Sequence, residues 1–152
     1  MAFTEEQLET IRQAASSPFP FINRCEAEVE EIRPGYCRAR MPYKPNVNHV
    51  GTMYAGALFT LAELPGGALF LSSFDSARFY PIVRDAQIRF RRPAMTDVRI
   101  ESTIDETEVE RVQQETETHG KCDFELEGEL RDENGEVVAI SKMMYQLRKI
   151  GG

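Results

Sequence analysis

The segment Asn48 to Gly67, NHVGTMYAGALFTLAELPGG, places a lone acid, Glu63, inside an apolar run with the periodicity of one long helix. Leu58, Leu61, Leu64 and Ala68 recur at three- and four-residue steps, so they share a face that can turn toward a core. Gly56, Thr60, Glu63 and Gly67 fall on another side and form a groove of small residues with one ionisable group in it. A flat or slender molecule fits such a groove. Asn48, Gly51 and Thr52 precede the run, and the first amides of a helix lack acceptors and carry partial positive charge. Those amides suit a developing oxyanion. Pro65 removes a hydrogen bond and crowds Leu61, so a kink or an early end just past Glu63 is expected.

The flanking sequence predicts an α+β chain forming one domain over residues 1–152. Thr4 with Gln7 reads as a capping box opening a short helix to about Ala15, and SPFPF at 17–21 reads as a loop. Cys25–Ile32 and Tyr36–Met41 read as strands around the Arg33-Pro34-Gly35 turn. Period-two alternation then predicts strands near 79–92, 97–110, 118–131 and 136–148, with Asn134-Gly135 marking the last hairpin. One apolar helix and several antiparallel strands require a sheet wrapped around the helix. Such a sheet leaves an edge that a second copy can cover, which makes a homodimer, or a dimer of dimers, the expected assembly.

Composition excludes several other classes. The net charge of -7 opposes a nucleic-acid partner, since phosphate binding needs clustered Lys and Arg. Residues 33–99 hold ten basic and four acidic residues, whereas 101–136 hold fourteen acidic and three basic. The acidic part reads as solvated strand faces, and the basic excess surrounds the groove in sequence. Three widely separated cysteines with no CxxC pair point to a reducing cytoplasm. The acidic start MAFTEEQLET lacks the basic region of a signal peptide, and the apolar run Met53–Ala62 is too short to span a bilayer. His49 and His119 are the only histidines, so a multi-His metal site is ruled out. There is no GxSxG, and Gly51 with Gly56 lacks the Lys of a phosphate loop.

Two motifs carry a family resemblance. Asn48, Tyr54-Ala55-Gly56 and Ala62-Glu63 resemble the helix segment of hotdog-fold acyl-CoA thioesterases of the phenylacetyl-CoA thioesterase type. Their pattern there is Asn, then His-Gly-Gly, then Ala-Asp or Ala-Glu. QIRFRRPAMTD, Gln87 to Asp97, is similar to the strand that follows that helix, with its Arg-Pro-Ala and later Asp. Tyr54 stands where the family has His, and Ala55 where it has the first Gly. The resemblance implies a hotdog fold, a dimer, no cofactor, and hydrolysis of an acyl-CoA to free acid and CoA.

Helix length independently favours a site shared by two chains. Ala55 and Glu63 are eight residues apart, about 12 Å along a helix axis, so one thioester cannot touch both. Two such helices running antiparallel about a two-fold axis would set the amide end of one beside Glu63 of the other. In that arrangement Glu63 acts as general base or nucleophile, and the Ala55 and Gly56 amides stabilise the oxyanion. Asn48 holds the water or the carbonyl, while Tyr54 donates near the sulfur or lines the pocket. Thr60 and Gly67 line the acyl groove. Arg84, Arg89 and Arg91 lie on or beside the strand after the helix, where alternation sends Arg89 and Arg91 to one face, within reach of CoA phosphates.

Each assignment has a plain competitor: a structural acid at 63, a turn residue at 48, a pocket wall at 54, and a solvated strand face for the arginines. Two other functions stay open on the same fold. One is a non-catalytic acyl-CoA or fatty-acyl binding dimer; the other is an enoyl-CoA hydratase or dehydratase using His49.

Overall fold

The computed structural model describes residues 2–152. The first helix, α1 (Glu5–Ser16), opens on the expected capping box, with Thr4 and Gln7 bonded reciprocally. A short second helix, α2 (Pro20–Cys25), occupies part of the stretch expected as loop. Proline is suited to a first helical position, where the missing N–H has no acceptor to lose, and Pro20 stands there. Cys25 therefore ends a helix rather than starting a strand.

Strands β1 (Glu28–Arg33) and β2 (Tyr36–Met41) form the first hairpin. Its turn needs a left-handed residue, and Gly35 takes φ of 81°. A side chain there would also come within 2.8 Å of the Ile104 carbonyl. A single 3₁₀ turn at Lys44–Asn46 leads to the long central helix, α3 (Ala55–Ser73). Strands β3 (Phe79–Phe90) and β4 (Val98–Thr103), helix α4 (Glu106–His119), and strands β5 (Lys121–Arg131) and β6 (Val137–Lys149) complete the chain. All six strands join one antiparallel sheet in the order β1-β2-β4-β5-β6-β3.

Two expectations are corrected. The strand predicted over 97–110 is β4 followed by the start of α4, so part of the acidic stretch is helix rather than strand face. Val109, Val112 and Thr116 bury one side of α4 at helical spacing, and Gly120 ends it with φ of 85°. The kink or early end expected past Glu63 is also absent, since α3 stays helical through Ser73 with Pro65 inside it.

The concave side of the sheet buries α3. Leu58, Leu61, Leu64 and Ala68 all face the core, as their spacing requires. Beyond Leu64 the helix is closed in by Phe70, Phe74, Phe124 and Tyr145, whose rings form a continuous aromatic chain. With 19 residues α3 has the length and hydropathy of a membrane span, and 67% of its most apolar window is buried inside the molecule. The two edges of the sheet differ. At β1 the Arg12 guanidinium donates to the Val29 carbonyl, and the Val29 amide donates to the Ser16 hydroxyl, so α1 occupies that border. Among the described residues β3 pairs only with β6, and it exposes Tyr80, Ile82 and Val83.

Candidate active site

Residues along α3 sort into two sides. Ala55, Phe59 and Gly67 are exposed and Glu63 is half-buried, whereas nearly every other residue from Ala57 to Phe70 is buried. This one open stripe follows steps of four, the spacing of a ridge on a helix. Thr60, expected in the groove, is turned inward and bonds the Gly56 carbonyl through its hydroxyl at 2.7 Å. Gly56 is partly covered, because the Tyr54 ring lies over it at 2.4 Å from where a Cβ would sit.

Glu63 is the distinctive group on that stripe. Among the described residues its carboxylate has no hydrogen-bond or ion-pair partner, and burial pushes its pKa above the ordinary glutamate value. A desolvated acid without a partner is costly to a fold and is a common mark of a functional position. Its peptide is nevertheless held firmly. Tyr145, on β6 and almost fully buried, donates from its hydroxyl to the Glu63 carbonyl at 2.9 Å. The Tyr145 ring fills the space of a Gly66 side chain, since a Cβ there would come within 2.2 Å. Gly66 is therefore required by the chain itself. Gly67 is not: a Cβ there would meet nothing within 4 Å. Glycine in a helix interior costs about 1 kcal/mol relative to alanine.

The other half of the chemistry stands at the start of α3. Tyr54 is the N-cap residue and supplies no side-chain cap; its carbonyl accepts the amides of Ala57 and Leu58. The Ala55 and Gly56 amides are left without acceptors among the described residues. Ala55 borders a cleft of about 340 Å³ formed with Asn48, Thr52, Met53, Leu58 and the segment Phe90–Ala94. The Met53 amide donates to the Ala94 carbonyl at 2.8 Å, which seats the Arg-Pro-Ala segment against the helix start. The two motifs found apart in the sequence thus meet at one place. A larger concavity of about 1170 Å³ on the outer face of the sheet is lined mostly by charged and polar side chains and touches neither Glu63 nor these amides.

Asn48 is engaged in its own loop. Its side-chain oxygen accepts the Val50 and Thr52 amides, and its side-chain nitrogen donates to the Thr52 hydroxyl. The residue closes the turn that leads into the helix. Tyr54 is exposed, with its ring lying over Gly56.

Arg89 and Arg91 do not stay together. β3 ends at Phe90, and the amides of Arg91 and Arg92 share the Val138 carbonyl, a bulge that breaks the alternation. Arg91 consequently borders the cleft at the helix start, whereas Arg89 lies over the outer face. Arg84 is bonded to Asp123 and Arg92 to Glu136. Asp97 accepts from the Tyr43 amide and from Arg40, each at 2.8 Å, and so ties the β2 end to the loop before β4. Tyr145 carries no signal in the sequence, because it meets Glu63 from 82 positions away. No group of three or more His, Cys, Asp or Glu side chains among the described residues is placed to hold a metal ion.

A central helix wrapped by a curved antiparallel sheet, with an acid on its open side, defines a hotdog-fold protein. The chain belongs to the family described as Domain of unknown function (DUF4442), whose model matches residues 8–146. A solved Pseudomonas aeruginosa protein of unknown function, described as a probable thioesterase, is 52% identical over 93% of this chain and 95% of its own, with a TM-score of 0.89. A Haemophilus influenzae thioesterase is 17% identical, covering 100% of this chain and 95% of its own at a TM-score of 0.75. A further thioesterase from P. aeruginosa, solved as a variant, is 18% identical over 94% of each chain at a TM-score of 0.73. The last two share the fold. No curated protein matches the chain.

Proposed function

We propose that this protein hydrolyses an acyl-CoA thioester to free acid and CoA, as a cytoplasmic homodimer with two equivalent sites. The observation that carries this reading is Glu63 itself: an unpartnered acid with a raised pKa on the one open stripe of a helix that is otherwise buried. The thioesterase description of a 52% identical relative supports the reaction class.

Within one chain Glu63 lies about 10–12 Å along α3 from the free amides of Ala55 and Gly56, too far for both to serve one carbonyl. A second copy resolves this. β3 offers an open edge that exposes Tyr80, Ile82 and Val83, and two such edges related by a two-fold axis form one continuous sheet. The two central helices then run antiparallel side by side, with Glu63 of each facing the amide end of the other. Glu63 attacks the thioester carbon directly or takes a proton from the attacking water. The oxyanion forms against the Ala55 and Gly56 amides, at the positive end of the helix. Arg91 stands at the same end, where the CoA phosphates would enter.

The test is a panel of acyl-CoA substrates of varied chain with detection of released thiol, run on the parent and on Glu63→Gln. Thiol release that depends on Glu63 supports hydrolysis. Tight acyl-CoA binding without release would leave a carrier of acyl groups instead.

A further inference from the structure

A site shared in this way determines which residue lies on the two-fold axis. A two-fold operation that sets Ala55 or Gly56 of one chain against Glu63 of the other brings the midpoint between them against its own copy. That midpoint is Phe59, or the gap between Phe59 and Thr60 if Gly56 is the main donor. Thr60 is 7% exposed and bonded to its own helix. Phe59 is 39% exposed, an aromatic ring on the open stripe with Ala55, Glu63 and Gly67. Resting on the two-chain site above, we propose that Phe59 packs against Phe59 of a second copy on the axis, as the spacer that sets the distance between the two helices.

Gly67 gives independent support. It is the glycine of α3 that its own chain does not explain, unlike Gly66 under the Tyr145 ring and Gly56 under the Tyr54 ring. It lies eight residues past Phe59, about 12 Å along the helix. The same operation carries the segment preceding the second copy's helix to that point, and a bare backbone leaves room for it. The open β3 edge packs along the same helix, so strand pairing and helix pairing belong to one continuous interface.

Distances make this testable by cross-linking. Helices in contact lie about 8–10 Å apart axis to axis, and at the wider end, which an aromatic spacer favours, facing Cα atoms stand about 5 Å apart, inside the roughly 4.4–6.8 Å that a disulfide spans. Phe59→Cys, mildly oxidised, should give a covalent dimer whose peptide map joins position 59 to position 59. The parent, with Cys25, Cys37 and Cys122, supplies the background. Ala55→Cys should not link to itself, because its two copies stand about 12 Å apart along the helices.

Residue 67 is exposed and a Cβ there meets nothing within 4 Å, so Gly67→Leu should keep the parental circular dichroism while dissociating at least ~10-fold more readily in sedimentation. A dimer without the 59–59 link, a monomeric parent, or a Gly67→Leu dimer as tight as the parent each overturns the proposal. Glu63→Gln separates this from the catalytic reading. If the link forms while Glu63→Gln turns over at the parental rate, the chemistry fails and the axis stands. If Glu63→Gln is inactive and the link is absent, the axis fails and the chemistry stands.

Discussion

Tyr145 holds Glu63 by the main chain and leaves its carboxylate alone: the hydroxyl donates to the Glu63 carbonyl at 2.9 Å, and the ring rests where residue 66 has no side chain. The sheet thereby fixes the turn of helix that carries the acid, at the place where Pro65 has removed one helical bond. Tyr145→Phe deletes one buried hydrogen bond and should cost about 1 kcal/mol in urea unfolding. Gly66→Ala forces a methyl group into the ring and should cost more, about 1–3 kcal/mol. Parental stability for Gly66→Ala would mean that the ring yields freely and does not clamp the helix.

Glu63→Gln should cut thioester turnover by at least ~100-fold while keeping the fold. The same substitution should raise stability at neutral pH. Burial lifts the pKa of Glu63 in the native state, so the native protein binds a proton more readily than the unfolded chain does. The stability linked to this group is therefore greatest below the unfolded pKa and is lost as pH rises through the native value. Glutamine does not titrate, so the stability gap should close as pH falls, measured by denaturation at several pH values. For activity the ionised form is required, and kcat/KM should fall in acid at a pH above that of an ordinary glutamate. A gap independent of pH would separate the effect from ionisation.

The bulge at Arg91 and Arg92 sets Arg89 and Arg91 at different places on the sheet. Arg91→Ala should raise KM for an acyl-CoA by about 10-fold, the loss of one charge-assisted contact, and should leave a short thioester without the nucleotide nearly unaffected. Arg89→Ala, over the outer face, should change neither. Equal KM effects of Arg91→Ala on both substrates would remove it from phosphate binding.

Complementation tests the two-chain site directly. A branched side chain at position 56 displaces the Tyr54 ring and covers the amides, so Gly56→Val should be inactive. Mixed with inactive Glu63→Gln, it should recover roughly a quarter of parental activity, since about half of randomly formed dimers are mixed and each has one intact site. No recovery, with subunit exchange shown by mass, would place both halves of the site in one chain.

Much of the frame was legible in local patterns. The core face of α3, the capping box, the Pro34-Gly35 and Asn134-Gly135 turns and the alternation of the long strands all follow from spacing and turn chemistry. Helix α4 was missed because Glu and Thr dominate it and Val109 and Val112 are its sparse apolar markers. Its true signals were the ends: Asp105 before an acidic first turn, and Gly120 after His119. Pro65 misled because the penalty of a proline is local, whereas the packing that keeps the helix going comes from distant aromatic rings. The site was half legible. Glu63 stood out as an acid among apolar residues, but Asn48 closing its own loop and Tyr145 reaching Glu63 depend on folded geometry.

With α1 lying along β1, the sheet has one sealed border and one open one. A stack of such sheets has nowhere to continue once two open borders have met. In the proposed dimer association therefore stops itself at two, because the edge that carries Tyr80, Ile82 and Val83 beside Arg84 and Asp85 is used up in the pairing and offers no template for a fibre.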